Sequence, residues 1–274
     1  IGATTKYSSL MGRGQSAGVV AAMCSGIAAA PVLAAGGFGA VGAGSVAVCV
    51  LAALVAMLLP ENRIRRDGDH KPGWTEPLTG GLREARRSPT IMAAVVLVAV
   101  VASVWGALDE YTPLLIGSTG GDAVDVSLLM VVIWAGAAAG GLLAGRAARL
   151  GPRSLAVLIC CAAVLMATGA LADHPLGVVP LAAAFGIFQL ITVVVDARLQ
   201  DSISGPARAT VTSLAGMSTD VVTLVVYGSY AALAEIGGHR WAFAILMVPY
   251  VLVAVLLATS RAALRRRMHQ TETR

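Results

Sequence analysis

Eight long apolar stretches constrain this chain more than any other feature of its sequence. They cover residues 14–35, 38–59, 89–116, 126–145, 154–172, 175–195, 209–234 and 241–260. Since an α-helix rises about 1.5 Å per residue, each stretch is long enough to cross roughly 30 Å of hydrocarbon. Backbone groups in lipid must be paired within their own segment, and no alternating pattern indicates a barrel. The sequence therefore predicts an all-α, polytopic membrane protein with eight transmembrane helices.

Charge is scarce, and its placement predicts the orientation of the chain. Only 13% of the residues are charged, whereas soluble domains average about 25%. If the N-terminus is cytoplasmic, every basic residue except Arg240 falls in a cytoplasmic segment. By the positive-inside rule, both termini of this multi-pass cell-membrane protein are predicted to be cytoplasmic. The net charge of +5 thus reflects orientation, and a nucleic-acid partner is not expected.

A charged, proline-containing segment divides the chain. Residues 60–88 are predicted to form a cytoplasmic linker between two helices in 1–59 and six helices in 89–264. A basic cytoplasmic tail follows at 265–274. The pattern of spans in the six-helix block is compatible with two three-helix units, an arrangement typical of secondary transporters.

Three motifs give this layout a family resemblance. Residues 140–153, GGLLAGRAARLGPR, resemble the second copy of the signature G-x-x-x-D-R-x-G-R-R of the major facilitator superfamily, with Gly145 in place of the aspartate. Residues 208–213, RATVTS, resemble the beginning of helix 11 in many bacterial members, and Asp109-Glu110-Tyr111 resembles the end of helix 7. The resemblance implies helices 5 to 12 of a bundle that lacks its first four helices. It also implies transport by alternating access.

A further similarity concerns the direction of transport. Residues 26–35, GIAAAPVLAA, resemble the antiporter motif G-x-x-x-G-P-x-x-G-G of helix 5, with three glycines replaced by alanine. This resemblance implies efflux driven by an inward flow of protons across a bacterial inner membrane. Taken by itself, Pro31 is equally compatible with a simple kink in an alanine-rich helix.

Acidic residues within the spans are the candidates for proton coupling, because charge in the hydrocarbon is costly. Asp220 lies near the middle of its span, and Thr223 and Tyr227 share its helical face. We expect this face to line a water-filled cavity, although a structural carboxyl would fit the same position. Asp109 and Glu110, near the outer end of another span, are further candidates for proton coupling, or simply solvated acids.

Polar residues at helical spacing predict the substrate contacts. Gln189, Thr192 and Asp196 fall on one face of their span, and Trp105 shares a face with Asp109. The predicted substrate-binding residues are Trp105, Gln189, Thr192, Thr223 and Tyr227. Because no basic residue lies inside any span, a neutral or cationic small molecule is favoured over an anion. Gating is predicted for Arg146, Arg149, Arg153 and Asp196, with orientation alone as the alternative for the three arginines.

Two glycine patterns predict structure rather than chemistry. The sequence between Gly37 and Gly42 predicts a tight turn that joins the first two spans. Gly136 and Gly140, four residues apart, predict a close approach of two helices.

The expected protein is a proton-coupled secondary transporter rather than an enzyme. No catalytic residue, metal site or cofactor is predicted, and no Walker A sequence indicates ATP-driven transport. The expected partners are a small-molecule substrate, protons and the lipid bilayer, and the protein is expected to be a monomer. Two alternatives remain open: an integral membrane enzyme acting on lipids, and a truncated membrane protein that does not transport.

Overall fold

The computed structural model describes residues 2–58, 88–120, 123–203 and 208–259, without some of the side chains in 2–34 and 123–127. Of these residues, 93% are helical and none forms a strand. The helices are α1 (Gly2–Met57), α2 (Pro89–Gly117), α3 (Ala123–Ala147), α4 (Pro152–Leu171), α5 (Val178–Ser202), α6 (Arg208–Ile245) and α7 (248–259), with a 3-10 turn at Pro175–Gly177. The predicted all-α fold is confirmed.

Long apolar helices make up most of the described chain. Six segments are long and apolar enough to cross a membrane: Ala35–Met57, Pro89–Gly117, Leu128–Ala147, Pro152–Leu171, Pro175–Ser202 and Arg208–Thr259. The 52 residues of the last segment contain two of the predicted spans. This is a multi-pass membrane protein. Most of the predicted linker and all of the predicted tail lie outside the described residues, so the proposed domain limits stay predictions.

Two glycines interrupt the longest helices. Gly238, at φ 77°, lies inside α6, and Gly37, at φ 64°, lies inside α1. Only glycine adopts such angles without strain. The ring of Tyr230 lies 5.9 Å from that of Phe243, whereas 13 residues of straight helix would separate them by roughly 20 Å. The chain therefore turns back at Gly238. The break at Gly37 lies within the predicted turn.

Helix α5 forms the centre of the bundle and packs against α1, α2, α3 and α4. Phe185, Phe188 and Leu199 on this helix are completely buried. At the contact with α3, Gly136 and Gly140 lie against the backbone carbonyl groups of α5, where any side chain would overlap them. The predicted close approach is confirmed for this pair of glycines, and it gives the bundle a core without bulky side chains at that crossing.

The loops alternate between the two ends of the bundle. At one end, called here the Arg240 end, the Arg240 guanidinium pairs with Asp173 and donates to the carbonyl oxygen of Ser118 at 3.4 Å. These contacts join the segments that follow α2, α4 and the first part of α6. At the opposite end, called here the Arg198 end, Arg198 of α5 donates to the carbonyl oxygen of Leu150 between α3 and α4.

The ion pair at the Arg240 end should add little to stability. Asp173 is 61% exposed and Arg240 30% exposed, so water and salt screen their attraction. We expect a double-mutant cycle of Arg240→Gln and Asp173→Asn to give a coupling energy below about 1 kcal/mol that vanishes near 1 M salt. Unfolding in detergent measures it. A salt-independent coupling above about 2 kcal/mol would instead indicate a shielded pair.

Candidate functional site

Asp109 of α2 is the acidic centre of the candidate site. It lies eight residues before the end of α2, or about 12 Å along the helix axis. The indole nitrogen Nε1 of Trp134 in α3 donates to Asp109 Oδ1 at 3.1 Å. Asp109 is half-buried, and among the described residues no basic side chain forms an ion pair with it. The neighbouring Glu110 is exposed. The site therefore holds a carboxylate that accepts a hydrogen bond from one neutral side chain and forms no ion pair with the described residues.

Trp105 lies one turn from Asp109 on the same helix and links α2 to α5. Its indole nitrogen Nε1 donates to Thr192 Oγ1 at 3.0 Å, and the Thr192 hydroxyl donates to the carbonyl oxygen of Phe188 at 2.9 Å. The Trp105 ring meets the ring of Phe185 edge-on, with centroids 5.7 Å apart. Two residues predicted as substrate contacts from separate spans, Trp105 and Thr192, are thus in direct contact.

A group of tyrosines joins α2 to α6 on the side of Asp109 that faces the Arg240 end. Tyr111 stacks on Tyr230 with centroids 3.7 Å apart, and Tyr227 meets Tyr111 edge-on at 5.6 Å. The Tyr230 hydroxyl pairs with His239 Nδ1 at 2.7 Å. Tyr227, a predicted substrate contact, therefore lies near the acidic pair Asp109–Glu110 in the fold.

The remaining predicted residues differ in their surroundings. Gln189 is only 6% exposed, one turn before Thr192 on α5. Thr223 is half-buried on α6, and Asp220 is exposed and has no hydrogen-bond or ion-pair partner among the described residues. Asp196 lies toward the Arg198 end, and its buried Oδ2 has no partner in the described part of the chain. The functional roles predicted for these residues stay predictions.

Comparison with known families identifies the architecture. A family model described as Major Facilitator Superfamily matches residues 3–172, well over half of the chain. The chain belongs to the major facilitator superfamily. The comparison with curated proteins gives no match.

The superfamily match covers α1 to α4 and continues across residues 60–88. It therefore includes Trp105, Asp109 and Trp134, and it ends before α5 begins. Gln189 and Thr192 on α5 and Tyr227 on α6 lie beyond the matched part. Membership in the superfamily identifies the protein as a membrane transporter. The hydrogen bond between Trp105 and Thr192 is seen only in the structure, because Thr192 lies beyond the matched residues.

The arginines of the superfamily signature lie at the Arg198 end. Arg146, Arg149 and Arg153 are all exposed, around the connection from α3 to α4. This connection is anchored by Arg198, whose guanidinium donates to the Leu150 carbonyl group. Arg198 was not among the predicted gating residues, although it lies two positions after Asp196. The gating role of the three signature arginines stays a prediction.

Two aromatic residues of the site were missed by the sequence analysis. Trp134 of α3 binds Asp109, and Tyr250 of α7 makes two hydrogen bonds to the backbone of α2. A tryptophan or tyrosine inside a membrane helix carries a polar group that needs a partner. Such a polar group was therefore a signal in the sequence. It does not indicate which residue is the partner, because the contacting residues are far apart in the chain.

Proposed function

We propose that this protein is a secondary active transporter that works by alternating access and couples proton binding at Asp109 to the movement of a neutral or cationic small molecule. The observation that carries the proposal is the environment of Asp109, half-buried between α2 and α3 with an indole donor from Trp134 and no described cationic partner. A charged side chain costs roughly 2.5–3.5 kcal/mol at the centre of a membrane helix, and less toward the ends, where Asp109 lies. A proton or a cation removes that cost.

Competition for one carboxylate supports exchange of protons for substrate. When a proton occupies Asp109, the negative charge that attracts a cationic substrate is lost, and the reverse also holds. This argument agrees with the resemblance of residues 26–35 to the antiporter motif. We therefore propose efflux, with Glu110 and Asp220 as additional acids along the proton path.

The proposed substrate contacts are distributed over three helices. They are Trp105 on α2, Gln189 and Thr192 on α5, and Thr223 and Tyr227 on α6. The charge pattern supports an orientation with both termini in the cytoplasm of a bacterial cell, so that the Arg240 end faces outward. Gating would then take place at the Arg198 end, through Arg146, Arg149, Arg153 and Asp196.

Transport into proteoliposomes tests this function. The full-length protein is reconstituted, and a panel of neutral, cationic and anionic compounds is offered with and without an imposed pH gradient. We expect at least one neutral or cationic compound to accumulate only while the gradient exists, and a protonophore to abolish that accumulation. Accumulation of anions alone, or accumulation that ignores the gradient, would contradict the proposal.

A further inference from the structure

Tyr250 of α7 inserts its hydroxyl group into the backbone ladder of α2. In a regular α-helix, the amide of residue 105 donates to the carbonyl oxygen of residue 101. Here the Tyr250 hydroxyl donates to Val101 O at 2.8 Å and accepts from the Trp105 amide at 2.9 Å. The hydroxyl therefore bridges two groups that a regular helix would pair with each other.

The position of this hydroxyl is fixed by packing. Tyr250 is completely buried. Its ring stacks on that of Phe188 in α5, with centroids 4.3 Å apart and planes at 28°. Phe188 also provides the carbonyl group that accepts the Thr192 hydroxyl. Tyr250 and Thr192 are the hydrogen-bond partners of α2 in this region. Both therefore contact Phe188 of α5.

The bridged turn of α2 also contains a buried hydroxyl group without a described partner. Ser103 lies within this turn and is 2% exposed, and its hydroxyl has no hydrogen-bond partner in the described residues. A serine inside a helix commonly donates to a carbonyl group one turn earlier. Side chains that enter the backbone ladder are an established cause of bends in helices. The geometry of the turn from Val101 to Trp105 therefore depends on a side chain that comes from another helix.

We propose that Tyr250 is a positioning residue of the transporter: its hydroxyl sets the geometry of the Val101–Trp105 turn and thereby directs Trp105 to Thr192 and Asp109 to Trp134. Asp109 follows Trp105 by one helical turn, so a change of direction at Trp105 moves the carboxylate relative to α3. The functional meaning of this positioning rests on the role proposed above for Asp109.

The four tryptophans of the chain allow a test that needs no substrate. The full-length protein is labelled with ¹⁵N-tryptophan in phospholipid nanodiscs, and the indole resonances are assigned with single Trp→Phe variants. In Tyr250→Phe, Val101 and Trp105 can pair directly and the turn closes. We expect the Trp134 resonance to shift together with that of Trp105. Trp134 is the informative reporter, because it binds Asp109 and has no described contact with Tyr250.

Tyr230→Phe is the matched control. Tyr230 is 3% exposed, and its hydroxyl bonds to His239 rather than to the α2 backbone. This control should shift Trp241, near the turn at Gly238, and leave Trp134 in place. The proposal is overturned if Trp134 stays in place in Tyr250→Phe, if Tyr230→Phe shifts it equally, or if Tyr250→Phe also shifts Trp241. If the Trp134 indole resonance of the unaltered protein does not shift with pH, that result would instead count against proton binding at Asp109.

Discussion

Asp109→Asn is expected to abolish transport driven by a pH gradient, down to the level of protein-free liposomes. Asparagine keeps the size of the side chain, and its amide oxygen can still accept the hydrogen bond from Trp134 Nε1. What it loses is the ability to bind and release a proton. Substrate exchange without a gradient should persist, because the binding geometry is preserved. Proteoliposome uptake and counterflow, measured side by side, separate the two activities.

Glu235→Gln provides the control for this experiment. Glu235 is exposed on α6 near the turn at Gly238, and its neutralisation changes the net charge by the same amount. We expect its gradient-driven transport to match that of the unaltered protein. If Asp109→Asn kept its gradient-driven transport, the carboxylate would have no part in coupling, and Asp220 would become the leading candidate.

Gly140→Ala is expected to destabilise the bundle by about 1–3 kcal/mol. The new methyl group would overlap the carbonyl oxygen of Gly186 at the crossing of α3 and α5. Because the obstacle is backbone, it cannot rotate away as a side chain would. The higher helix propensity of alanine offsets only up to about 1 kcal/mol of this cost. Since each kcal/mol corresponds to roughly 2–4 °C in a chain of this size, thermal unfolding in detergent should show a clear loss.

The same substitution at Gly228 isolates the effect of the crossing. Gly228 lies on α6, and a methyl group there would meet no atom within 4 Å. Gly228→Ala should therefore leave the unfolding temperature unchanged or raise it slightly, through helix propensity. Equal unfolding temperatures for the two variants would show that α3 and α5 are not in close contact in the detergent-solubilised protein.

Membrane chains reveal much of their fold in sequence, because the bilayer imposes a length and a polarity on every span. Each of the eight apolar stretches is mostly helical where the structure describes it, although a turn at residues 246–247 divides the last one between α6 and α7. The break near Gly37 was expected from the local glycines. The motifs at residues 140–153 and 208–213 led to the correct superfamily. Counting residues along a span also predicts depth, which placed Asp109 toward one end of its helix.

Neighbours across helices, in contrast, were decided only by the tertiary structure. Trp134 and Asp109 are 25 residues apart, and Tyr250 and Val101 are 149 apart. Periodicity indicates which residues share a face of one helix, but it does not specify how that helix is rotated relative to its neighbour. That rotation is set by close packing, such as the contact of Gly140 with α5 and the stacking of Phe188 on Tyr250. The sequence alone therefore determined the spans, their order and the acidic candidates, and packing decided which side chains meet Asp109 and Trp105.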